Sequence, residues 1–204
     1  MKDSKRLRLT ALALAAAVTV VLSGCSSAND ALAEQYRSGS GKNYIAGDGR
    51  VTEIAAGNRG DPIVFTGTLE DGSTVTSDDY AGKVLVVNTW YAGCPPCRAE
   101  APDLEAVYEE FKPQGVDFLG INVRDEAGTA QAFERTFGIT YPTTLDAVTG
   151  SMQLAFSGEV APNAVPTTLV LDKQGRVASR ILGQLPDASV LEALLRTALT
   201  EPAP

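Results

Sequence analysis

Two cysteines separated by two prolines, Cys94-Pro95-Pro96-Cys97, stand where an apolar run meets a helix-like stretch. No other feature constrains the fold as much. The apolar run is Val84-Leu85-Val86-Val87-Asn88-Thr89-Trp90, short enough for a buried strand, and the helical pattern covers 98–111. A strand that feeds a Cys-x-x-Cys at a helix start reads as a thiol–disulfide exchange centre. The unpaired N–H groups of a first helical turn, with the positive end of the helix dipole, favour a thiolate at Cys94. A lowered pKa makes that sulfur both a nucleophile near neutral pH and a good leaving group. Cys94, at the helix start, is expected to be accessible, with Cys97 one turn inside. Pro95 suits the first helical position, whereas Pro96 removes an N–H that would otherwise help the thiolate. Two other readings stay open. A structural disulfide here would close a loop too short to constrain the unfolded chain much. Half of a zinc site would need two more ligands, and the chain has no histidine and one further cysteine.

That further cysteine, Cys25, belongs to a different pattern. Lys2, Lys5, Arg6 and Arg8 precede an apolar run over 9–21, which is short for a transmembrane span and right for a signal-peptide core. The run ends in Leu22-Ser23-Gly24-Cys25, which resembles the bacterial lipobox, whose cysteine is lipidated and becomes the new N-terminus. An ordinary signal peptide with a cysteine nearby is the alternative. The expected division is a lipoprotein signal peptide over 1–24, a lipidated N-terminus and flexible tether over 25–60, and one folded domain over 61–200. Acyl chains on Cys25 would hold the protein to a membrane on its extracytoplasmic side, where disulfides persist. The formal net charge is −8, and removing the basic leader makes the remainder more acidic. That charge argues against nucleic acid and against lying flat on anionic lipid.

The segment 26–60 lacks sustained periodicity, apart from a short strand-like stretch over 50–54. Pro62-Ile63-Val64-Phe65 and Thr74-Val75 flank an Asp71-Gly72 turn signal, which predicts a hairpin. Ser77-Asp78-Asp79-Tyr80 reads as a helical turn. A second buried strand is expected over 116–123 and a helix over 129–137, ended by Gly138. In the last third, Val165-Pro166-Thr167-Thr168 leads into Leu169-Val170-Leu171, a turn at Asp172-Lys173-Gln174-Gly175, a strand over 176–182 and a helix over 187–199. Strand and helix alternating in this way make an α/β layered domain with parallel central strands.

Over 61–199 the sequence resembles the thioredoxin superfamily, and more narrowly the membrane-anchored TlpA/ResA/CcmG-type thiol–disulfide proteins. The resemblance rests on Trp90-x-x-x-Cys94-Pro95-Pro96-Cys97, on Pro102, and on the ending that starts at Val165-Pro166-Thr167. It implies a thioredoxin fold with a central mixed β-sheet flanked by helices, an N-terminal β-hairpin, and a central insertion over 137–165. It implies a cis peptide bond before one proline facing the cysteines. Pro142 and Pro166 both head a Pro-Thr-Thr, but only Pro166 is followed by two strands and a terminal helix, so the cis bond is assigned to Val165-Pro166. The Pro-x-x-x-Thr-x-x-Cys pattern of peroxiredoxins is missing before Cys94, and Arg98 stands where a c-type haem motif has histidine.

By this resemblance Cys94 and Cys97 are the catalytic pair. Trp90, Pro95, Pro96, Val165 and Pro166 form the substrate-binding surround, and the backbone of Val165 pairs with the substrate strand. Glu100, one helical turn beyond Cys97, stands where ResA-like proteins carry a glutamate that relays or tunes the thiol protons; a solvated helix glutamate is the plain alternative. Asn88 occupies the place of a buried aspartate in minimal thioredoxins and cannot act as a base. Tyr91, Arg124 and Asp125 read as solvated loop residues, with lining of the groove as the alternative, and Pro102 as a helix kink. The implied activity is exchange of disulfides with protein substrates, in the reducing direction, within cytochrome c maturation. Electrons would come from a membrane thiol carrier, with no cofactor and no metal. An oxidase or isomerase, a thiol peroxidase, and a non-catalytic redox-sensing lipoprotein are the competing expectations.

Overall fold

All seven residues of the run before the cysteines are buried, as a strand covered on both faces requires. The computed structural model describes residue 47, residues 49–161 and residues 164–202. The buried run is β4 (Val84–Trp90), at the centre of a six-stranded sheet. The order is β1 (Arg50–Glu53), β8 (Val177–Leu182), β7 (Thr167–Leu171), β4, β5 (Val116–Asn122) and β6 (Thr143–Leu145). β4, β5 and β6 run parallel, whereas β7 pairs antiparallel with β4, β8 with β7 and β1 with β8. β2 (Thr66–Thr68) and β3 (Thr74–Thr76) form a separate hairpin.

Among the described residues, four α-helices cover the sheet: α1 (Pro95–Phe111), α2 (Ala127–Phe137), α3 (Ser151–Ala155) and α4 (Ala188–Thr200). The two-residue period of β4 divides its side chains between two layers. Val84 and Val86 meet Leu104, Val107 and Phe111 of α1 and Leu191 and Leu195 of α4. Leu85 and Val87 face the other layer, with Phe65, Val75, Met152 and Phe156. Each such Leu, Val or Phe contributes about 1.5–3 kcal/mol by leaving water. Gly138, at φ 73°, closes α2 in the left-handed conformation that glycine adopts freely.

The mixed sheet with flanking helices, the hairpin and the insertion carrying β6 and α3 match the expected fold class. Three boundaries differ. The first hairpin strand is Thr66–Thr68 rather than the apolar stretch over 62–65, because Phe65 packs inward from outside the ladder. Helix α1 begins at Pro95 and passes through Pro102 without ending. The short strand expected over 50–54 is β1, Arg50–Glu53, and because it joins the main sheet the folded region starts by Arg50 rather than at Asp61. Arg59 fastens this early segment to the far end of the domain, with Nη1 2.8 Å from Asp172 Oδ2 and Nη2 2.7 Å from Glu201 Oε1.

Candidate active site

The first three residues after Cys94 are Pro95, Pro96 and Cys97, so the first helical N–H belongs to Cys97. It donates to Cys94 Sγ at 3.3 Å, which makes Cys94 a sulfur N-cap. Of the first three helical positions only Cys97 keeps an N–H, and it points at Cys94 Sγ. Cys94 and Cys97 are joined as a disulfide with Cα atoms 5.3 Å apart. Cys94 is 0% exposed and Cys97 2%, so the expected contrast between an open and an inner cysteine is absent from the oxidised form.

The wall around the disulfide is apolar. Trp90 lies 4.4 Å from Phe133 between ring centroids, and both belong to the buried cluster that holds Cys94, Cys97, Ala101 and Val165. Asp125 has a part that the sequence reading missed. Its Oδ2 accepts the Ala92 N–H at 2.6 Å and the Asn122 side-chain N–H at 2.9 Å, tying the loop before Cys94 to the end of β5. Arg124 stacks over Tyr91 at 4.2 Å. A polar residue two or three past a buried strand, facing a loop that must be rigid, was the only signal for this.

The Val165-Pro166 peptide is cis. Thr167 fixes the turn: its N–H donates to Thr89 Oγ1 at 3.0 Å, and its hydroxyl donates to Ala164 O at 2.8 Å. Pro166 O accepts the Gly183 N–H at 2.9 Å, linking the loop to the end of β8. Pro142 instead leads into the edge strand β6, its carbonyl accepting the Gly120 N–H at 2.9 Å.

Glu100 is 1% exposed and is not on a solvated face. Its Oε1 accepts from Asn88 Nδ2 at 3.0 Å and its Oε2 from the Leu185 N–H at 2.7 Å. Asn88 Nδ2 also donates to Thr168 Oγ1 at 3.0 Å, which sets the amide orientation. Burial pushes the Glu100 carboxyl up to about 7; the two hydrogen bonds oppose this and the nearby Asp103 adds to it. A carboxyl that titrates at about 7, one helical turn from Cys97, can take and return a proton at neutral pH. Among the described residues no group of three or more His, Cys, Asp or Glu side chains converges on a metal position. No described helix is long and apolar enough to cross a membrane. Cys25 and the leader lie outside the described residues.

A Cys-Pro-Pro-Cys capping the helix after the central strand, faced by a cis-proline loop, defines a thioredoxin-fold redox protein. Comparison with known proteins narrows the class. The Redoxin family profile matches residues 55–195. Thiol-disulfide oxidoreductase ResA of Geobacillus kaustophilus is 32% identical over 66% of this chain and 73% of its own. Thiol:disulfide interchange protein HelX of Rhodobacter capsulatus is 38% identical over 51% of this chain and 54% of its own. A secreted thiol-disulfide isomerase from Corynebacterium glutamicum superposes with a TM-score of 0.68 at 30% identity, covering 78% of this chain and 97% of that one. The chain belongs to the Redoxin family of the thioredoxin superfamily, alongside the ResA- and CcmG-like thiol–disulfide oxidoreductases, and is an oxidoreductase of that kind.

Proposed function

We propose that the protein reduces disulfides of protein substrates outside the cytoplasm, with Cys94 as attacking thiol, Cys97 as resolving thiol and Glu100 as their proton partner. The observation that carries this reading is the buried Glu100, held near neutrality one turn from Cys97. In the reduced protein the Cys94 thiolate attacks one sulfur of a substrate disulfide. A Cys94–substrate bond forms, and the other substrate sulfur leaves as a thiolate and takes up a proton. Glu100 carboxylate then accepts the Cys97 proton, and the Cys97 thiolate attacks Cys94 Sγ. The Cys94–Cys97 bond closes and the second substrate sulfur leaves reduced. Two electrons have passed from the dithiol to the substrate. A membrane thiol carrier returns them by the same exchange in reverse.

The backbone of Val165 beside Pro166 holds the substrate strand by main-chain pairing, and Trp90, Pro95 and Pro96 form the apolar surround. Lipid on Cys25 keeps the domain at the membrane, and apocytochrome c is the substrate class suggested by the family resemblance. Multiple-turnover reduction of insulin disulfides with a chemical reductant tests the chemistry. Cys94→Ser abolishes turnover, and Cys97→Ser accumulates a one-to-one mixed disulfide through Cys94. Absence of turnover in the unaltered protein would leave a redox-sensing binding protein. Cys25→Ala releases the protein from membranes with turnover intact; retention in the membrane would contradict the anchor.

A further inference from the structure

Gly47, at the start of the described chain, has its backbone against the segment that follows β8. A β-carbon built on Gly47 would overlap the Leu182 carbonyl and lie 2.6 Å from Gly183 N. One built on Gly183 would in turn lie 2.6 Å from Gly47 C and 2.9 Å from Gly47 Cα. Gly49 continues the contact, donating its N–H to Leu182 O at 2.8 Å. The two segments meet backbone to backbone, an approach open only to glycine. What they hold in place is the site. Gly183 N–H reaches Pro166 O at 2.9 Å, and two residues later Leu185 N–H reaches Glu100 Oε2 at 2.7 Å.

We propose that Gly47 is a positioning residue for the dithiol chemistry, its bare backbone clamping the 182–185 segment so that this segment can hold Glu100 and the cis-proline loop together. The chain that leads back to Cys25 thus joins the domain at the rim of the active site, because Arg50 pairs with Leu182 at the end of β8 beside Pro166. The inference rests on Glu100 as the proton partner of the thiols. A methyl group at Gly47 has no room against the Leu182 carbonyl and Gly183 N, so the 182–185 segment shifts and the Leu185–Glu100 bond lengthens. Loss of that donor removes support from the carboxylate. The other groups that bear on Glu100 are Asn88 on β4, Asp103 on its own helix and Tyr141 before β6.

The test is a carboxyl NMR titration of Glu100 in the full-length oxidised protein, with its resonance assigned by Glu100→Gln, together with amide exchange of Gly183 and Leu185. Gly47→Ala raises the Glu100 midpoint by about half a pH unit or more, and both amides exchange faster while those of β4 and β7 keep their protection. Gly57→Ala, at a site where a β-carbon meets nothing within 4 Å, changes neither. An unchanged or lowered midpoint in Gly47→Ala would overturn the inference. So would loss of protection across the whole sheet, which would make the contact a requirement of the fold. Failure of the underlying reading shows separately, as an unaltered protein whose exchange rate has no inflection at the Glu100 midpoint.

Discussion

Glu100 Oε2 accepts the backbone N–H of Leu185 at 2.7 Å, although the two residues are 85 apart in sequence. The contact places a carboxyl from the active-site helix under the control of the loop that leaves β8. It also explains why this carboxyl can be buried: with Asn88 on the other oxygen, both oxygens have a donor.

The raised Glu100 pKa makes stability depend on pH. Because the folded-state value, about 7, lies above that of an ordinary glutamate, the folded protein binds more protons between roughly 4.5 and 7. Its contribution is complete below that window and is lost as pH rises through it, an effect on the order of 3 kcal/mol. Glu100→Gln removes this component. Denaturant unfolding of the oxidised protein at pH 5 and pH 8 is expected to show a smaller drop in Glu100→Gln than in the unaltered protein. Glu70, raised to about 7 by burial and by Glu134, acts in the same direction but is common to both proteins. The same substitution slows release of the Cys97-resolved mixed disulfide by about a hundredfold at pH 7. An identical pH dependence and identical single-turnover rates would return Glu100 to a structural role.

Asp125 fixes the loop that presents Cys94. Asp125→Ala leaves the Ala92 N–H and the buried Asn122 amide without their charged acceptor, at a cost of about 2–3 kcal/mol. The loosened loop misplaces the sulfur, and attack on a substrate disulfide is expected to slow about tenfold. Thermal unfolding and single-turnover exchange check the two halves. A protein that loses stability but keeps its exchange rate would show that the loop does not depend on this anchor.

Arg59 separates stability from chemistry. Its guanidinium bridges Asp172 and Glu201 at the sheet end away from the cysteines. Arg59→Met leaves Asp172 with Arg176 and backbone donors only, and is expected to destabilise by about 2 kcal/mol. Insulin reduction at 25 °C is unchanged. A large loss of activity in a folded Arg59→Met protein would contradict this division.

Most of the frame was legible because it follows local rules. The β4 run, the Cys-x-x-Cys junction and the Gly138 stop each carry their signal within a few residues. The cis bond at Pro166 rather than Pro142 was legible because two strands and a helix follow it. Other features depend on partners far along the chain. β1 was expected as a short strand, but its place at the edge of the main sheet depends on pairing with β8. The burial of Glu100 was open from sequence because its cover, Leu185, comes from a segment with no pattern of its own. Asp125 looked solvated because its tie to the loop before Cys94 is the Ala92 backbone N–H, which no side-chain pattern reveals.

The direction of electron flow is the central claim, and the reduction potential of the Cys94–Cys97 pair at pH 7 tests it most directly. Equilibration of the full-length protein with a glutathione or dithiothreitol buffer, read by thiol alkylation, gives the value. A reductant is expected near or below about −270 mV, whereas a value near about −120 mV would mark an oxidant and contradict the proposed function.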